Sequence, residues 1–172
     1  MPGYGTSPLE LLASQAMLAG VIYCDDFTYS AAWIAGTASA LPATGTVEVQ
    51  VQINSDSDFI SSELNLVAFS AGAIIANPNY LLTIVRAGSG RDVSNQPQHV
   101  LTMCGSYQAD RVAGARPVPM LVQANNVITC RLQNLTATVP DRVDLSFRGF
   151  KVFYTVNSEG QQGSRQSVFH VL

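Results

Sequence analysis

Hydrophobic and polar positions alternate most regularly between residues 127 and 154. Ile128, Cys130 and Leu132 interleave with Thr129, Arg131 and Gln133, and Val143, Leu145 and Phe147 with Asp144, Ser146 and Arg148. A two-residue period sends alternate side chains to opposite faces, so each run predicts a half-buried strand with its apolar set in a core. Past Gly149 the apolar set becomes Phe150, Val152 and Tyr154, one step out of register, and a glycine at such a slip predicts a bulge or bend. The loop from Asn134 to Asp141, closed by Pro140-Asp141, predicts a turn that brings one strand back against the other.

Upstream, Val47, Val49, Val51 and Ile53 alternate with Glu48, Gln50 and Gln52, a strand with one wet face. Asn54 to Asp58 breaks it and Phe59-Ile60 resumes. Glu63 to Phe69 reads as a further strand, ending in the turn Ser70-Ala-Gly72. After the turn Asn77-Pro78-Asn79, Tyr80 to Arg86 is a nearly apolar strand, stopped by Gly88-Ser89-Gly90. Val21 to Cys24 and Tyr29 to Ile34 are two earlier strand candidates, and Gly36 to Gly45 is a loop. Arg91 to Gln98 reads as a polar loop, His99 to Gly105 as a short strand and Tyr107 to Pro119 as a long loop. Short strands separated by turn residues predict an all-β fold, an antiparallel β-sandwich.

The two ends depart from this pattern. Ser7-Pro8-Leu9-Glu10 is a helix start, with Ser at the N-cap, Pro at the first helical position and Glu two residues later. Leu9, Leu12, Ala13, Ala16 and Met17 then share one stripe and Gly20 stops it. A helix of about three turns is too short to stand alone, so this stripe must dock. After Val156 the chain turns polar and finishes with Val168, Phe169, Val171 and Leu172 around His170. The chain therefore divides into an N-terminal arm with a short helix (1–20), a sandwich (21–156) and a C-terminal tail (157–172). Leu9, Leu12, Ala16 and Met17 at one end, and Val168, Phe169, Val171 and Leu172 at the other, are the candidate interface residues.

Charge sharpens the picture. Charged residues make up 12%, about half the usual quarter, and Lys151 is the single lysine among nine cationic residues. A surface so short of charge points to contact with other protein. The net charge of −3 and the lack of a basic cluster give nucleic acid no electrostatic footprint. No apolar run approaches the ~20 residues of a membrane helix, and MPGYGTSPLELL lacks the basic start of a signal peptide. Three widely spaced cysteines, Cys24, Cys104 and Cys130, imply folding in a reducing cytoplasm without disulfides.

Candidate chemistry is sparse. Asp25-Asp26 and Asp56/Asp58 are the acidic clusters, but neither has the glycine or the further ligands of a Ca²⁺ loop, and both read as solvated turns. His99 and His170 have no partner at zinc spacing. Neither a nucleophile elbow nor a phosphate or dinucleotide loop occurs. Asn134-Leu135-Thr136 matches a glycosylation acceptor but reads as a turn, and Trp33 reads as core. No catalytic residue, cofactor or metal is expected.

Several phrases together resemble a family of small virion proteins of tailed bacteriophages. They are Ile53-Asn-Ser-Asp-Ser-Asp-Phe59, Leu82-Thr-Ile-Val-Arg86 with Gly88-Ser-Gly-Arg91, Arg116-Pro117-Val-Pro119 and Gln123-Ala-Asn-Asn-Val127. Leu132-Gln-Asn-Leu135 and Val143-Asp-Leu-Ser-Phe-Arg-Gly-Phe-Lys-Val-Phe153 follow. The resemblance covers roughly residues 45 to 154 and implies a jelly-roll sandwich seated on or between capsid subunits as decoration or cement, or in the neck. It implies a virion protein made in the host bacterial cytoplasm, partnered by the major capsid protein and by copies of itself, with a trimer as the expected oligomer. It brings no catalytic residues. A receptor- or glycan-binding jelly roll of a tail fibre is the other class the sequence leaves open.

Overall fold

The computed structural model describes residues 21–86, 93–94, 96–104 and 114–154. The predicted N-terminal helix, the C-terminal tail and all eight candidate interface residues lie outside them. Within these residues nine strands and one short helix follow in the order β1 (Val21–Ile34), β2 (Thr46–Gln52), β3 (Asp58–Ser70), β4 (Ala73–Ile74), β5 (Tyr80–Arg86), β6 (Gln98–His99), α1 (Val100–Cys104), β7 (Gly114–Val122), β8 (Val127–Asn134) and β9 (Arg142–Tyr154).

Two antiparallel sheets face each other. One has the order β1-β9-β3, with β4 and β7 both on the far side of β3; the other runs β2-β8-β5-β6. First beside last, third inside, and second beside eighth is the strand order of a jelly roll, in which most successive strands alternate between the sheets. The alternation read from the sequence decides what lies between them. Ile128, Cys130, Leu132, Val143, Leu145 and Phe147 are all fully buried, with Trp33, Phe59, Leu82 and Ile84 packed among them.

Several expectations are corrected. β8 and β9 do not form a hairpin: β8 pairs with β2 and β5, whereas β9 pairs with β1 and β3. Their apolar faces meet across the core, not along a shared ladder, and residues 135–141 pass from one sheet to the other. The two early strand candidates are one strand, because β9 offers a continuous partner that carries β1 through Asp25-Asp26. Phe59-Ile60 and Glu63 to Phe69 likewise belong to one strand. Residues expected as a strand from His99 split into the two-residue β6 and the one-turn α1, and the end of the expected long loop is β7.

The irregularity signalled by Gly149 is real but sits on the neighbouring strand. β9 keeps its register with β1 straight through Gly149, while β3 shifts between Ser61 and Glu63. The extra residue in β3 reverses which side chains point inward, so Phe59 and Leu64 both reach the core. A Cβ on Gly149 would overlap the Ile60 carbonyl oxygen, and only glycine lets the bulged strand come this close.

Candidate interaction surfaces

The loops gather at two poles. At one, the β1–β2 connection, the β3–β5 segment and the β8–β9 loop are tied by backbone bonds: Ala35 N to Asp141 O (2.9 Å), Asp141 N to Phe69 O (2.9 Å), Thr44 N to Thr136 O (2.9 Å) and Leu135 N to Asn79 O (3.1 Å). Asn134 is their hub. Its side chain is buried; Nδ2 donates to the carbonyls of Pro42 (3.1 Å) and Thr138 (2.8 Å), and Oδ1 accepts from Thr136 N (2.9 Å) and Thr136 Oγ1 (2.8 Å). The acceptor-like tripeptide is thus an Asx-type turn, as expected, with its asparagine amide fully engaged. Ala71 and Gly72, both at positive φ, make the tight β3–β4 turn there, and Gly72 N bonds to Asp141 Oδ2 (3.2 Å). His99 Nε2 lies 3.2 Å from Asn79 Oδ1.

The loop pole carries an apolar rim. Ile34, Ile74, Leu135 and Val139 are four of the five exposed large hydrophobic residues described. Ile34 opposes Arg142, Arg142 opposes Phe69 and Phe69 opposes Ile74, so one cross-strand row on the outer sheet face runs from Ile34 to Ile74. Beside it, a cleft of about 260 Å³ opens between the β3–β5 segment and the β8–β9 loop, lined by Ile75, Asn77, Asn79, Tyr80, Thr136 and Pro140 among others.

At the other pole the β2–β3 and β7–β8 turns meet through Ile53 N to Asn126 O (2.9 Å) and Asn125 N to Asn54 O (3.3 Å). Val21 and Tyr154 are register partners here, so β1 begins and β9 ends side by side at this pole. The single lysine closes this end of the core. Lys151 is buried, its Nζ 4.4 Å from the centre of the Phe27 ring and 3.2 Å from Asp56 Oδ2. Phe27 continues the aromatic line to Tyr29 (4.7 Å) and Phe59 (4.8 Å). Slight burial pushes the Asp56 carboxyl up. Hydrogen bonds from Ser57 and Lys151, and the Lys151 charge, outweigh that and hold it below the usual carboxylate range.

The acidic clusters therefore part company. Asp25 and Asp26 are exposed, but in mid-strand opposite Lys151 and Phe150 and not in a turn. Asp58 is not solvated: it is fully buried, with Oδ1 accepting from Ala124 N at 2.7 Å and Oδ2 without a hydrogen-bond partner. Among the described residues no three His, Cys, Asp or Glu side chains come together as metal ligands would.

The outer face of the β1-β9-β3 sheet carries two ion pairs. Arg142 pairs with Asp144 (2.7 Å) and Arg148 with Glu63 (3.3 Å). Between them Ser30 and Ser146 touch. Asp26, Thr28, Glu63, Arg148 and Phe150 help to line a cleft of about 350 Å³ over the bulge. On the opposite sheet Arg131 pairs with Glu48 (2.9 Å). Cys130 and Cys104 are buried and Cys24 is exposed. Burial, with Cys104 and Glu48 adding, pushes the Cys130 thiol up to about 12. The buried Trp33 lends its indole N–H to the Val47 carbonyl (3.1 Å), tying β1 to β2.

Sequence reasoning missed the loop pole altogether, because its members come from three distant stretches. The lone lysine in a strand was the one available signal for the opposite cap.

No family model and no curated protein matches the chain. Among solved structures, one similar to this chain is the infectious bursal disease virus VP2 subviral particle. It is 14% identical at a TM-score of 0.30, over 80% of this chain and 33% of that one. Another is the ANXUR2 extracellular domain from Arabidopsis thaliana, 10% identical at a TM-score of 0.27, over 69% of this chain and 32% of that one. This chain spans about a third of the length of either. Neither likeness carries an argument, and the jelly-roll assignment rests on strand order alone.

Proposed function

We infer that this chain is a non-enzymatic structural protein of a bacteriophage virion, a capsid decoration or cement protein that holds the head through its sandwich and terminal arms. The observation that supports the reading is the pairing of Val21 with Tyr154, which puts the start of β1 and the end of β9 side by side at one pole. Burying one large apolar side chain is worth roughly 1.5–3 kcal/mol, so the stripe of Leu9, Leu12, Ala16 and Met17 and the group of Val168, Phe169, Val171 and Leu172 each supply several kcal/mol to a contact. Repetition around a particle turns such terms into strong retention. A charge-poor sandwich suits that role, since Arg131, Arg142, Arg148 and Lys151 are each already in an ion pair. The single tryptophan gives the glycan-binding alternative no platform, since Trp33 is buried with its N–H engaged.

The test is add-back of the purified full chain to heads that lack it, beside versions without residues 1–20 or 158–172. The intact chain binds at a copy number set by the head lattice. Each truncated chain keeps its melting behaviour and fails to bind. A copy number fitting one ring at the neck moves the protein there, and failure of the intact chain to bind particles ends the reading.

A further inference from the structure

The loop pole has a feature that attachment to a capsid does not use: exposed apolar side chains beside an open cleft, on loops braced from inside. Val139 is 48% exposed, Ile74 and Leu135 are each 41% exposed, and all lie at the pole where Ile75, Tyr80 and Pro140 line the 260 Å³ cleft. The Asn134 hub and the backbone bonds between the three loops hold this shape ready, which lowers the ordering cost of an incoming group. The cation in the row between Ile34 and Phe69, Arg142, is already paired with Asp144, and the Asp141 carboxylate beside it accepts from Gly72 N.

We propose that this pole is the seat for the C-terminal tail of a second copy of the chain, with Phe169 as the aromatic anchor in the cleft and Val168 and Val171 against the rim. The inference rests on the tail being an attachment segment, though not on the particle to which the protein belongs.

Reach decides for a second copy over the tail's own sandwich. The tail begins after Tyr154, at the pole opposite the rim. β9 alone, from Arg142 to Tyr154, is 154 − 142 = 12 steps and spans about 40 Å at ~3.3 Å per residue. From Tyr154 to Val168 is 168 − 154 = 14 residues, which cover at most about 46–50 Å when fully stretched. A coil of that many residues averages only about 20 Å end to end. The tail therefore reaches its own rim only when drawn out to most of its full length, about twice its average span, while a neighbour's rim can come to it. The contact is heterologous, tail of one copy on pole of the next, and closes as a ring when the rotation permits.

Complementary variants test this in the full-length chain by sedimentation velocity from about 1 to 200 µM, a range around the affinity expected of a few buried anchors. Val139→Asp spoils the rim and leaves the tail; Phe169→Asp spoils the tail and leaves the rim. The wild type associates, and each variant alone sediments as a monomer with unchanged melting temperature. An equal mixture of the two gives a one-to-one complex that grows no further, because a single productive joint remains. A wild type that stays monomeric, a variant that associates like it, or a mixture with no complex overturns the proposal. So does a lowered melting temperature of Phe169→Asp, which would place the tail on its own sandwich. Particle add-back reads the proposed function separately: a chain that pairs this way but never joins heads loses that function and keeps this contact.

Discussion

Asn134→Ala removes the side chain that holds the loop pole together. Four hydrogen bonds disappear, to Pro42 O, Thr138 O, Thr136 N and Thr136 Oγ1. A typical intramolecular hydrogen bond contributes a net 0.5–1.5 kcal/mol, so the sum is about 2–6 kcal/mol. Pro42 and Thr138 are exposed and Thr136 is half-buried, so water can take over their freed groups, which favours the lower part of that range, about 2–4 kcal/mol. For a chain of this size each kcal/mol moves the melting temperature by roughly 2–4 °C. Urea unfolding and calorimetry should therefore show a fall of about 4–16 °C. Asn134→Asp keeps the acceptor for Thr136 but replaces both donated bonds with a buried carboxylate, and should cost more than alanine at neutral pH. Leu135→Ala, one residue on and exposed, serves as the control and should stay within about 0.5 kcal/mol of wild type. If Asn134→Ala loses less than about 1 kcal/mol, or no more than the Leu135 control, the hub does not brace the pole.

Three further outcomes follow from the same geometry. Leu145→Ala, at a fully buried site between the sheets, should cost about 2–5 kcal/mol in urea unfolding with the slope unchanged; a near-neutral result would contradict the core described above. A thiol reagent at mildly alkaline pH should titrate Cys24 in the folded protein and leave Cys130 untouched until denaturant is added. Cys24 itself should react more slowly than a free thiol, since burial first and Asp25 second raise its pKa. The Asp56–Lys151 pair should stabilise above the ordinary carboxyl value near ~3.9 and be lost as pH falls through the depressed value of Asp56. Asp56 is half-exposed, so comparison of acid unfolding with Asp56→Asn should reveal less than about 1 kcal/mol, and a larger difference at neutral than at strongly acid pH.

What the sequence determined by itself was the side of each strand. Ile128, Cys130 and Leu132, and Val143, Leu145 and Phe147, face the core because a two-residue period is a property of the extended backbone alone. Turns were equally legible where glycine or asparagine sets the local conformation, as at Ser70 to Gly72 and Asn134 to Thr136. Only the tertiary structure decided which strand lies beside which. Two alternating strands joined by a short loop can pair edge to edge or face each other across a core, and the same side chains are buried either way. The chain took the second course at β8 and β9, because β1 and β3 already flank β9 and β2 and β5 flank β8. The bulge was misplaced for a related reason. Gly149 marked the site, but the extra residue belongs to β3, where the Ile60 carbonyl needs the space that a glycine on the next strand leaves. The loop pole was invisible in the sequence, since residues 34, 74 and 139 share a surface only after three loops have been drawn together by backbone bonds that no local pattern encodes.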